Sequence, residues 1–110
     1  MSAIQMLYVT CSDRDEAAMI AKVLVEERLA ACVNLLSADL SIFEWEQRLQ
    51  NDKEVILLAK TLEDYLPKVV ERIEALHSYD VPCILSSSWS AQNSKYYDWV
   101  KDQVGPKRPR

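Results

Sequence analysis

His77 is the only histidine in the chain, and the only thiols are Cys11, Cys32 and Cys83. Imidazole suits copper, zinc or nickel, and thiolates suit Cu(I) or zinc. One histidine cannot close a structural zinc site, which takes a full tetrahedral set of protein ligands. A metal centre on this chain would therefore join Cys11 and Cys83 to His77. The competing reading makes His77 a cap at a helix C-terminus, where an imidazolium is favoured by the helix dipole. It makes the cysteines small buried apolar residues; Cys32, within Ala-Ala-Cys-Val, fits that description.

A second group is Trp45, Lys60, Tyr79, Tyr97 and Trp99. Aromatic walls around one lysine would hold a small anion at a subunit boundary. The same aromatics also serve as packing in a core or an interface. Glu44 and Glu46 alternate on one strand face, where solvation is a simpler account than paired acid–base chemistry. Ser86, Ser87, Ser88 and Ser90 cluster without the glycines of a nucleophile elbow. No constellation supplies nucleophile, base and oxyanion donors together, so the chain reads as a non-enzyme.

The elements that must position these residues follow from periodicity. Ile4 to Thr10 has the β-branched and aromatic bias of a strand. Asp13 is an N-cap with Glu16 three residues on. Ala17, Ile20, Ala21, Leu24, Val25 and Leu29 then give one apolar helix face, predicting a helix over Asp13 to Leu29. Ala31 to Leu36 starts a second strand, interrupted at Ser37-Ala38-Asp39 by a bulge and resuming at Leu40. From Leu40 to Thr61 the chain reads as a long hairpin, its polar connection at Gln50-Asn51-Asp52-Lys53. The second arm, Val55 to Thr61, is apolar enough for a central strand covered on both faces. A small domain cannot cover all of this hairpin, so part of it should meet another subunit.

Leu66, Val69, Val70, Ile73 and Leu76 recur at helical spacing behind an N-cap at Asp64, with Pro67 in the first turn and Pro82 beyond the stop. A fourth strand begins at Cys83 and extends towards Trp89. A last helix, capped by Ser94, carries Tyr96, Trp99, Val100 and Val104 on one side and stops at Gly105-Pro106. The order is β-α-β-β-α-β with a C-terminal helix, the ferredoxin-like split βαβ arrangement, which puts the first and fourth strands side by side. We expect one domain over residues 1–104 and a solvated basic tail over 105–110.

Composition narrows the function. Among 110 residues there is one glycine, Gly105, which excludes phosphate-cradling and dinucleotide loops. A formal charge of -4 and a pI near 5.0 argue against nucleic acid. No apolar run is long enough to span a membrane, and the N-terminus lacks the basic start of a signal peptide. An odd number of cysteines with no CxxC pair favours a reducing compartment, the cytoplasm by default.

An ordered set of short pieces carries a resemblance. Tyr8-Val9-Thr10, Glu27 to Asn34 (ERLAACVN), Glu44-Trp45-Glu46, Asp52 to Val55 (DKEV), Leu58 to Thr61 (LAKT), Leu76 to Pro82 (LHSYDVP) and Tyr97-Asp98-Trp99 together resemble the CutA divalent-cation tolerance family over about Tyr8 to Trp99. That resemblance implies a ferredoxin-like homotrimer with hairpins crossing between neighbours, linked to tolerance of copper and other divalent metals. The chain departs from the family pattern at four places. Gln47 stands where glycine is common, Ser78 where proline is common and Cys83 where glutamate is common. Val9 matches a metal-associated cysteine of one member. A carboxylate and a thiolate of the implied metal site are thus missing or displaced. The expectation is a homotrimer that binds Cu(II) or another divalent ion weakly. The alternative is a trimeric regulator like the PII proteins, binding a small anion or a protein partner.

Overall fold

The computed structural model describes residues 3–107; Met1, Ser2 and the end of the expected basic tail, Arg108 to Arg110, lie outside it. Strand β1, Ile4–Cys11, alternates as its sequence requires. Leu7, Val9 and Cys11 point to one face, where they pack under helices α1, Arg14–Glu26, and α2, Leu66–Leu76. Strands β2, Cys32–Trp45, and β3, Arg48–Leu62, form the long hairpin, and β4, Ile84–Trp89, completes the sheet. The strand order is β2-β3-β1-β4 with every neighbouring pair antiparallel, the ferredoxin-like sheet. Helix α3, Ser94–Gln103, lies on the other face at one end, where Val100 and Val104 pack on Ile4, Ala31 and Leu62.

That other face is otherwise thinly covered. Leu57 and Ala59 of β3 are buried under α1 and α2, but Ile56 and Leu58 are only half-buried. The expectation of a strand covered on both faces therefore does not hold within one chain.

The hairpin turn is also not where polarity placed it. Asn51, Asp52 and Lys53 are strand residues, paired across to Ile42, Ser41 and their neighbours. They are polar because β1 ends opposite Val55, so this part of β3 projects beyond the sheet. The turn is Glu46-Gln47, between the paired Trp45 and Arg48, with φ of 51° and 65°. Two positive φ angles make a type I′ turn, whose twist matches a hairpin. Gln47 takes a left-handed conformation that disfavours side chains by roughly 1–2 kcal/mol. Gln47→Gly should therefore raise stability by about 1 kcal/mol after its own entropy cost, read as a higher midpoint in chemical denaturation. The bulge expected near Asp39 is present: Ala38 pairs with Glu54 and Ser41 with Asp52, leaving one residue extra on β2.

Helix α1 ends three residues before its apolar series does. Arg28 adopts φ 59°, its N–H bonds Val25 O, and Leu29 N–H bonds Leu24 O. This is a Schellman ending with arginine where glycine is usual. The C-terminal segment holds it: Gly105 N–H donates to Arg28 O at 2.8 Å, and the guanidinium donates to the carbonyls of Gly105 and Asp102. Two other caps shift by one residue. Asp64 belongs to a 3₁₀ turn, Glu63–Tyr65, and Tyr65 precedes α2, while Asn93 precedes α3.

Candidate functional site

Three segments meet at the end of β1. Asp13 caps α1 by accepting from Glu16 N–H at 2.8 Å. This sets the Glu16 carboxylate under the loop after α2, where Oε1 accepts from Ser78 N–H at 2.7 Å. Oε2 accepts from the hydroxyls of Ser12 at 2.6 Å and Ser78 at 3.0 Å. Burial raises the Glu16 pKa, but these hydrogen bonds and the nearby His77 ring outweigh it, leaving the carboxyl below its ordinary range.

His77 caps the end of α2, as expected, but its ring does not face solvent. The side chain is 0% exposed. Nε2 lies 2.8 Å from Thr10 O, a pure acceptor, so Nε2 carries the proton and donates. Nδ1 then accepts from Tyr79 N–H at 3.1 Å, with Glu16 Oε1 at 3.5 Å. Both nitrogens are engaged, and neither offers a lone pair to a metal.

Cys11 is buried in the core, while Cys83 is half-buried. Burial first, then the carboxylates of Glu16, Glu54 and Asp13, push the Cys11 thiol up to about 12. At neutral pH it is a thiol and not a thiolate. Its folded-state pKa is raised, so between pH 9 and about 12 the unfolded chain loses the proton first, and stability falls as pH rises. We expect a loss on the order of a few kcal/mol across that window, measured by urea denaturation at stepped pH. Cys11→Ala should flatten the slope.

His77, Cys11 and Cys83 thus do not form a ligand set in this chain. Among the described residues no group of three histidine, cysteine, aspartate or glutamate side chains is placed to hold a metal ion. The donor set of the described residues of one chain does not fit a tightly bound metal.

The aromatic group is also divided. Trp45 and Tyr79 both line a cleft of about 470 Å³. Phe43 and Val81 add apolar wall, and Asp52, Glu54 and Asp80 add carboxylates; Thr10 and Cys83 complete the lining. Lys60 is elsewhere. It pairs in register with Met6 and Cys32, and its Nζ donates to Asn34 Oδ1 at 3.2 Å and stands 5.9 Å from the Tyr96 ring. Tyr96 in turn packs on Trp99, and Tyr97 joins the α3 cluster. The expected group is therefore split: Trp45 and Tyr79 line an acidic cleft, while Lys60 stands with Tyr96 and Trp99 at the α3 end of the sheet.

Sequence reasoning passed over Glu54, which is only 8% exposed and accepts from Tyr79 Oη–H at 2.9 Å. Burial and then this bond and the Glu54 charge hold the Tyr79 phenol protonated well above its ordinary range, which makes it the donor. A carboxylate in a stretch as polar as Asn51 to Glu54 carries no signal of burial; only its period-2 alternation with Asp52 on the cleft side hints at it.

The comparisons with known proteins agree with this fold. Residues 5–103 match the family model described as CutA1 divalent ion tolerance protein. A divalent-cation tolerance protein CutA of Thermus thermophilus is 41% identical over 92% of this chain and 98% of its own length. A chloroplastic CutA of Arabidopsis thaliana is 36% identical over 89% of this chain, which spans 54% of that longer protein. Among solved structures, the divalent ion tolerance protein CutA1 of Ehrlichia chaffeensis superposes with a TM-score of 0.90 at 32% identity, over 96% of this chain and 99% of that one. The chain belongs to the CutA1 divalent ion tolerance family.

Proposed function

We propose that the protein is a non-enzymatic homotrimer of the cytoplasm that binds a divalent metal, copper foremost, weakly and so contributes to metal tolerance. The observation that carries the assembly is apolar surface left bare by one chain. Leu36, Leu40, Ile42 and Leu49 on the hairpin and Leu85 and Trp89 on β4 are all more than half exposed. Exposed apolar surface of this kind marks protein interfaces, and here it lies along β2 and β4, the two opposite free edges of the sheet. The relatives are named for tolerance and not for a reaction, which supports a non-enzymatic role. Three free cysteines suit a reducing compartment, and among the described residues no helix is long and apolar enough to cross a membrane.

Of the three donors expected from sequence, Cys83 alone lines open space. With the donors dispersed in each chain, a metal would be held weakly or by more than one subunit. Light scattering should give three times the 12.7 kDa subunit mass, and Ile42→Asp, on the strand face away from the cleft, should weaken assembly by a few kcal/mol. Calorimetry with Cu(II) and Zn(II) should show saturable binding, reduced in Cys83→Ser and retained in His77→Asn. A subunit-sized mass, or no saturable binding, would remove the proposal. The PII-like alternative, a trimer with a small anion or a protein partner, has less support, because Lys60 is remote from the cleft.

A further inference from the structure

We propose that the cleft between the hairpin and the loop after α2 is a binding site for a small organic ammonium ion. Its lining includes the aromatic side chains of Trp45, Phe43 and Tyr79, and its charges are Asp52, Glu54 and Asp80, with no lysine, arginine or histidine in the lining. Aromatic faces attract a cation through the ring quadrupole, and quaternary ammonium groups are held in this way.

Glu54 supplies the second observation. It is more than nine-tenths buried, and no cationic side chain among the described residues pairs with it. Among the described residues, its carboxylate's one hydrogen bond is from the neutral Tyr79 hydroxyl to Oε2. A buried carboxylate without a counter-ion is unfavourable, so the site is prepared for a positive charge.

The spread of the charges chooses the kind of cation. A hard metal ion needs its oxygen ligands about 2.0–2.6 Å from one point, and no three donors here meet that demand. An ammonium ion with alkyl groups spreads its charge over several ångströms and gains from apolar wall between the carboxylates. A cleft of about 470 Å³ is ample for such a molecule. This inference is independent of the metal reading, since none of it needs His77 or Cys83.

The test titrates the full-length protein with tetramethylammonium, followed by tryptophan fluorescence and the Trp45 indole NMR resonance, beside tert-butanol as an uncharged molecule of similar shape. Tetramethylammonium should bind saturably and tert-butanol should not. Glu54→Gln, which keeps an acceptor for Tyr79, should weaken binding by about tenfold or more, and Trp45→Leu should do the same. Light scattering on each variant separates loss of binding from loss of assembly, and Phe43→Leu reports on the same wall if Trp45→Leu alters the mass. Equal binding of tert-butanol, unchanged binding in Glu54→Gln, or a response to Zn(II) alone would each overturn the site.

Discussion

Gly105→Ala is expected to destabilise the protein by about 3 kcal/mol. Gly105 holds φ 89°, where a side chain is strained whatever the space. A Cβ there would also stand 2.2 Å from Tyr65 Oη and 2.8 Å from its Cζ, so the whole ring must move. Tyr65 packs against both core clusters and cannot swing freely. The same glycine bonds Arg28 through both its N–H and its carbonyl. Displacing it would loosen the end of α1 as well as the end of α3. Chemical denaturation of the wild type, Gly105→Ala, Tyr65→Phe and the double variant checks this. The double variant should recover part of the loss, because removing Oη removes the nearest contact but leaves the φ strain and the ring carbon.

What the sequence allowed to be read follows the range of each interaction. The Asp13 cap and the apolar face of α1 are local and were legible. So was the bulge near Asp39, since the break in alternation is written in adjacent residues. Where one chain segment borrows from another, the reading missed. The end of α1 has no glycine because Arg28 is held in place by carbonyls far along the chain, at Asp102 and Gly105. The hairpin turn was misplaced because the polarity of Asn51 to Lys53 reports an overhang and not a bend, while Glu46-Gln47 lacks the residues that favour positive φ. The candidate site failed for a related reason. A list of aromatics and one lysine contains no distances, and Lys60 and Trp99 belong to the α3 end of the sheet while Trp45 and Tyr79 belong to the hairpin end. Glu16 looked like half of a capping box. Its N–H does bond Asp13, but its carboxylate reaches Ser78, a contact that only the tertiary fold provides.

His77→Ala is expected to cost about 3 kcal/mol of stability while leaving calorimetric metal binding unchanged. The loss combines a cavity with two orphaned partners, the Thr10 carbonyl and the Tyr79 N–H. An unpaired buried polar group loses its water without replacement, which is why truncating one partner costs more than the bond itself contributes. His77→Asn should fall between wild type and alanine. An asparagine oxygen can accept from an N–H two residues on, as Nδ1 does here, but its amide is too short to reach Thr10. The damage should also travel. Tyr79 follows directly on the bond that His77 accepts, and its hydroxyl is the donor to Glu54. Releasing this loop therefore removes one wall of the cleft and the donor on its buried carboxylate together. Tetramethylammonium binding should weaken in His77→Ala although no atom of His77 lines the cleft, and His77→Asn should retain most of it. Metal binding lost in both variants, with stability intact, would instead make His77 a ligand and require its ring to leave Thr10.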